Sequence, residues 1–225
     1  DSWSYDTGAA EYAHLFNGEV YNENREDSTW CTLGLKNGKG VRYSDFSAGR
    51  LVPQTVEPVC IKREIQPIRS YRLNGKIIYD FGENFAGTVR IRGIIKSPNG
   101  AHIVIRHAEE TDESGELYTA SLRSAEAKDT YISRSGERTI DYSPYFTYHG
   151  FRYASLEITG ASACDIEVTA LNFYTDIDNK AFFKCGNALV NEFYACAIRT
   201  ERNNIHSIAS DCPQRDERMG WLNDA

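Results

Sequence analysis

The stretch that decides the fold is GKIIYDFGENFAGTVRIRGIIK, residues 75–96. Its first part, GKIIYDFG, is an apolar run bounded by glycines. Its second part alternates Val89 and Ile91 against Arg90 and Arg92. Period two, β-branched side chains and glycine punctuation predict strands with one buried face. Outward from this segment the same texture continues. In AHIVIRHAEE (101–110), Ile103 and Ile105 share one face and His102, Val104 and Arg106 the other. DTYISRSG, RTIDYSPYFTYHGFRYASLEITG and DIEVTALNFYTDI carry the pattern to residue 177, and SPNG (97–100) is a turn by its chemistry. Short strands about ten residues apart predict an antiparallel sandwich over residues 67–176.

The flanks differ. Residues 1–66 mix polar and apolar positions with turn formers, including Asn17-Gly18 and Asn37-Gly38, which are hairpin signals. They read as the C-terminal part of a preceding β-domain. In 177–225 the period changes. NALVNEFYACAIRTERNNI (187–205) places Leu189, Phe193, Cys196 and Ile198 at helical spacings behind Asn187, a suitable N-cap.

Composition narrows the function. The 225 residues carry a formal net charge of −7, which gives no general attraction for nucleic-acid phosphates. No apolar run is long enough to span a membrane. DSWSYDTG at the start has no basic-then-apolar organisation of a signal peptide, and the compartment stays open between cytoplasm, periplasm and secretion. Six cysteines at 31, 60, 164, 185, 196 and 212 include no CxxC pair, so zinc is not expected, and most are expected to be buried thiols.

The chemistry concentrates in SDCPQRDERMGWLNDA, residues 210–225. Asp211, Asp216, Glu217 and Asp224 lie among Arg215, Arg218 and Trp221, and Pro213 opposes a regular helix. Carboxylates accept hydrogen bonds from sugar hydroxyls, an indole stacks on a pyranose face, and a Glu held protonated can donate to a glycosidic oxygen. Composition alone favours an ordinary salt-bridged turn.

This segment resembles the signature of the bacterial α-L-rhamnosidases of glycoside hydrolase family 78, DCPQRDER-x-GW-x-x-D, and matches it at every position. YDFGENFAGTVRIRG, RHAEETDESGELYTASLRSAEAKDTY and YFTYHGFRYASLEITG resemble the β-domain that precedes the catalytic domain in that family, and LFNGEVYNENRED the end of the domain before it. The resemblance implies a mainly β chain. An antiparallel, concanavalin-like β-sandwich (67–176) would be followed by a C-terminal helical segment (177–225) that begins an (α/α)6 catalytic barrel. It implies Glu217 as the general acid, and Asp211, Arg215, Trp221 and Asp224 as residues that hold the sugar. It further implies rhamnosides as substrates, no cofactor, and an inverting mechanism. The general base would be a Glu further along the barrel, outside these residues. With one helix of a barrel that needs twelve, the chain alone is expected to hydrolyse nothing, and Glu217 to be an ionised side chain on an exposed tail. The alternative is a carbohydrate-binding or scaffolding sandwich without catalysis.

Three other features tempt. His107 with Glu109 and Glu110 reads as a sheet-edge loop rather than a metal cluster. Tyr145, Phe146, Tyr148, Phe151 and Tyr153 around His149 read as core packing of a central strand, with Gly150 as a bulge or bend, rather than a sugar-stacking face. DFGENFAG lacks every companion of a kinase motif.

Overall fold

The computed structural model describes residues 3–33, 38–43 and 49–221. Asn37 of the second Asn-Gly pair and Asp224 lie outside the described residues.

Ten strands form one curled sheet. They are β1 (Ala10–His14), β2 (Gly18–Asn22), β3 (Val59–Ile65), β4 (Arg69–Leu73), β5 (Lys76–Ser97), β6 (His102–Ala108), β7 (Lys128–Ile132), β8 (Gly136–Tyr142), β9 (His149–Thr159) and β10 (Ala163–Thr175). The order is β1-β2-β7-β6-β9-β5-β10-β3, with β4 and β8 also paired to β5. Every pair is antiparallel except β2 with β7. Strands from residues 10–22 and 59–65 thus belong to the same sheet as those that follow.

The stretch at 75–96 is one strand of 22 residues, β5. Its first part pairs with β4 and β9, and its second with β8 and β10. Gly87 is the crossing point, facing His149 of β9 and Asn172 of β10. A Cβ there would lie 1.9 Å from the carbonyl oxygen of Leu171, so only glycine admits the approach. The strand therefore serves both layers of the sandwich. Their inward faces meet in one apolar cluster that includes Phe81, Phe85, Val89, Ile91, Ile95, Ile103, Ile105, Ile140, Phe151, Leu156 and Val168. Phe85 and Phe151 are at its centre, with ring centroids 4.6 Å apart.

The alternation holds. Ile103 and Ile105 point inward, as do Val89 and Ile91, while Arg90 pairs with Asp141 at 2.6 Å on the outside. Asn17-Gly18 closes the β1–β2 hairpin, Gly18 having φ +107°. Three expectations fail. Tyr145 and Phe146 are 73% and 69% exposed, because they precede β9 in a loop rather than lying in it. The register shift in β9 falls between Phe151 and Tyr153, not at Gly150. Of the six cysteines only Cys212 is buried; Cys31, Cys164 and Cys196 are exposed.

After the sheet, helix α1 runs from Ala188 to Asn203, capped by Asn187, whose side chain accepts from the amide of Leu189 at 3.0 Å. Leu189 and Phe193 are 72% and 74% exposed, so its apolar stripe is not turned to the sandwich. The contact runs instead through polar groups at its C-terminal end. Asn203 accepts from the amide of Ala86 and donates to the carbonyl of Asn84, and Arg199 pairs with Glu83 at 3.2 Å. These bonds set where the chain leaves the helix, and so where the loop carrying Glu217 begins.

Candidate active site

Past α1, a short ribbon (Ile205–His206 with Ile208–Ala209) leads into the loop from Asp211 to Trp221. Asp211 closes this loop on itself. Its amide donates to the carbonyl of Met219 at 2.9 Å, and its Oδ1 accepts from the amide of Met219 at 2.8 Å. Its Oδ2 accepts from the Cys212 thiol and from Arg215, each at 3.2 Å. Burial by itself pushes this carboxyl up, but those two bonds favour the ionised form and hold it below the usual carboxylate range.

Glu217 stands between three donors. Oε2 accepts from Arg123 at 3.0 Å and forms an ion pair with Arg215 at 3.0 Å, and Oε1 accepts from the indole Nε1 of Trp221 at 3.2 Å. Its side chain is only 24% exposed, so the expectation of a free tail is overturned: the loop lies on the sandwich. Glu217, Arg215, Asp211 and Trp221 are thereby brought into one connected group.

Three contacts dock the loop. Asp216 accepts from the amide of Ser124 at 3.2 Å and from its hydroxyl, which holds the Asp216 carboxyl below its ordinary value. Pro213 and Gln214 press on Gly150, where a Cβ would come within 2.7 Å of Pro213 Cγ. Gly150 is therefore not a bulge but the close-approach point for the signature loop. Arg218 is the third contact, with φ +52° and its side chain buried. It donates to the carbonyl of Leu15 at 2.7 Å and lies 4.5 Å over the Tyr148 ring and 5.4 Å over Phe16. Burial lowers this guanidinium from its ordinary value, and the neighbouring Tyr148 opposes that shift.

Beneath Gly150 is a polar network that residue spacing did not reveal. His107, Asp129 and His149 are fully buried. His107 lies inside β6 rather than in an edge loop, which corrects the expected placement; Glu109 and Glu110 follow that strand instead of converging with it. His149 Nε2 is 3.1 Å from Asp129 Oδ2, and His107 Nδ1 bonds the carbonyl of Ala127 at 3.0 Å. Ligand atoms of the three residues fall within 4.8 Å of one another, a spacing open to a metal. The imidazoles stack, however, at 4.2 Å with planes 26° apart. Lone pairs in nearly parallel planes do not converge on one ion, and the arrangement reads as a hydrogen-bonded support. The amide of Glu19 donates to Asp129 Oδ1 at 2.9 Å. The buried carboxylate of Glu19 accepts from Tyr142 and from the amides of Tyr145 and Phe146.

Burial pushes His107 and His149 down to about 3 and His206 to about 4, and pushes Asp129 up to about 6. Depressed imidazoles stabilise the fold above their unfolded values, and that contribution is lost as pH falls from about 6.5. The raised Asp129 carboxyl acts oppositely, but only between its ordinary value of 3.8 and about 6. Burial raises Glu19 and Glu109 in the same sense as Asp129, but the three imidazole shifts outweigh these carboxyls. The melting temperature of the chain is therefore expected to fall steadily from pH 6.5 to 4.5, followed by circular dichroism. A flat profile contradicts neutral, buried imidazoles.

Comparison with known proteins agrees with this architecture. Residues 72–174 match the family model described as the bacterial alpha-L-rhamnosidase concanavalin-like domain. Residues 178–225 match the bacterial alpha-L-rhamnosidase 6 hairpin glycosidase domain. An alpha-L-rhamnosidase of Streptomyces avermitilis is 34% identical over 99% of this chain and 22% of its own length. One from Formosa agariphila is 31% identical over 100% of this chain and 25% of its own. The chain thus spans about a quarter or less of the curated relatives it matches. Among solved structures, the alpha-L-rhamnosidase from Dictyoglumus thermophilum superposes with a TM-score of 0.90 at 33% identity, over 99% of this chain and 25% of that one. The Streptomyces avermitilis enzyme complexed with L-rhamnose gives 0.86 at 32% identity, over 97% and 21%. The sandwich built around β5 and the loop built around Glu217 are thus matched by two domain models of the bacterial α-L-rhamnosidases, over residues 72–174 and 178–225.

Proposed function

We propose that this chain contributes the acid side of an α-L-rhamnosidase active site. The polypeptide that carries it would release terminal α-L-rhamnose from glycosides or polysaccharides with inversion. The observation that supports this is a single carboxylate, Glu217, held between Arg123, Arg215 and Trp221 on the signature loop. In this reading Glu217 passes its proton to the glycosidic oxygen as the C1–O bond breaks. Arg215, Trp221, Asp211 and Asp224 hold the ring and its hydroxyls. A second carboxylate, about 6.5–9.5 Å from the acid, takes a proton from the water that attacks the opposite face. We place that base in a part of the six-hairpin domain outside these 225 residues. The chain by itself then binds no complete substrate and turns nothing over. Residues 67–176, together with the strands at 10–22 and 59–65 that join the same sheet, are the supporting sandwich, and residues 177–225 open the catalytic domain.

Two measurements test this. Proton NMR of the first product formed by the polypeptide extended through the six-hairpin domain should show β-L-rhamnose before mutarotation; initial α-product rejects inversion. The 225-residue chain assayed with nitrophenyl α-L-rhamnoside should release no nitrophenol. A second reading attaches to Tyr145 and Phe146, whose exposed rings border an apolar cleft of about 450 Å³ with Val59, Ile61 and Phe173. Sugar stacking there would make the sandwich a binding module. Rhamnoside binding to the isolated chain, abolished by Tyr145→Ala, distinguishes it.

A further inference from the structure

The sandwich reaches the acid with one side chain. Arg123 comes from the segment between β6 and β7, 94 residues before Glu217, and its Nη1 is 3.0 Å from Glu217 Oε2. Three observations separate this from a casual surface ion pair, which is worth little. First, Arg123 has φ +58°, a left-handed conformation that a non-glycine residue adopts at a cost. Second, both neighbours fix it. Leu122 is buried with Ala125 and Ala127 against Phe16, and Ser124 binds Asp216 through its amide and hydroxyl. Third, Arg215 approaches the same Oε2 at 3.0 Å. Two guanidinium groups on one oxygen repel each other, and the arrangement is favourable only when that oxygen carries negative charge.

We infer that Arg123 is a catalytic residue contributed by the β-sandwich, stabilising the negative charge that develops on Glu217 as its proton passes to the leaving group. The inference rests on the reading of Glu217 as the acid. A protonated carboxyl attracts a guanidinium weakly and a carboxylate attracts it strongly, so the interaction grows along the reaction coordinate and lowers the barrier rather than merely aiding binding. Arg215 lies on the signature loop itself. Arg123 is supplied by a different domain, so docking of the sandwich completes the acid.

The test uses Arg123→Gln and Arg123→Lys in the polypeptide extended through the six-hairpin domain, with circular dichroism as the folding control. Two substrates are compared: an alkyl rhamnoside, whose leaving group needs the proton, and a nitrophenyl rhamnoside, whose leaving group hardly does. Arg123→Gln should lower kcat on the alkyl rhamnoside by about 10- to 100-fold, while changing kcat on the nitrophenyl substrate by no more than about threefold. Arg123→Lys, which keeps the charge, should retain most of both. Equal losses on the two substrates, or Lys no better than Gln, overturn the inference. If instead the unaltered polypeptide ignores both rhamnosides, or Glu217→Gln costs nothing, it is the assignment of the acid that fails.

Discussion

Replacing Glu217 with Gln should cut turnover of alkyl rhamnosides by about 10²–10⁴-fold in the polypeptide that includes the six-hairpin domain, the range a positioned general acid supplies. The amide keeps the size of the side chain and can still meet the Trp221 indole, so the loop is expected to keep its course. What is lost is the transferable proton and the charge facing Arg123 and Arg215. The loss should be far smaller on a nitrophenyl rhamnoside, whose leaving group departs without protonation. On the proposed inverting route no glycosyl–enzyme intermediate forms, so added azide should not restore the missing rate. Full kcat on an alkyl rhamnoside in the Gln variant would refute the assignment of this residue.

Phe151→Ala should cost about 3–5 kcal/mol of stability, the usual range for deleting a buried aromatic ring. That is a large share of the roughly 5–15 kcal/mol by which a domain is stable at all. Phe151 is fully buried, and its ring meets Phe81, Phe85 and His107 at centroid distances of 5.8, 4.6 and 4.7 Å. Two of those partners belong to β5 and one to β6, so the cavity opens where the layers join. The consequence extends to the site, because the preceding Gly150 is the seat of Pro213 and Gln214. Urea unfolding of the 225-residue chain should show the midpoint fall. Amide hydrogen exchange should show Asp211 and Met219, paired across the loop, losing protection with it. Unchanged stability would mean that Phe151 does not pack where the two layers meet.

Much of the architecture was legible from local pattern. Alternation at 101–108 identifies the inward face of β6 because a strand shows its side chains to two different environments in turn. The start of α1 is legible because its cap is a local hydrogen bond between residues 187 and 189. The glycines of 75–96 misled for a physical reason. Glycine marks turns, but it also marks a strand interior where another backbone comes close, and Gly87 is of the second kind. Tyr145 and Phe146 misled because aromatic density says nothing of where a strand begins. The site divides along the same line. Glu217, Arg215, Asp211 and Trp221 fall within eleven residues and could be read as one group. Arg123, Ser124 and the socket of Leu15, Phe16 and Tyr148 could not, being scattered over some two hundred positions.

By itself the sequence determined that this chain is a sandwich of alternating strands followed by a capped helix and a carboxylate-rich loop. Each of those rests on interactions between residues close in the chain, and period and chemistry record such interactions directly. Only the tertiary structure decided that the sandwich supplies a cation to Glu217, that Gly150 is a seat rather than a bulge, and that two stacked imidazoles lie beneath it beside a buried carboxylate. Those meetings join residues 20 to 94 positions apart. Strand order and layer packing bring them together, and no local propensity encodes which distant side chains the closing of a sheet will place within 3 Å of one another.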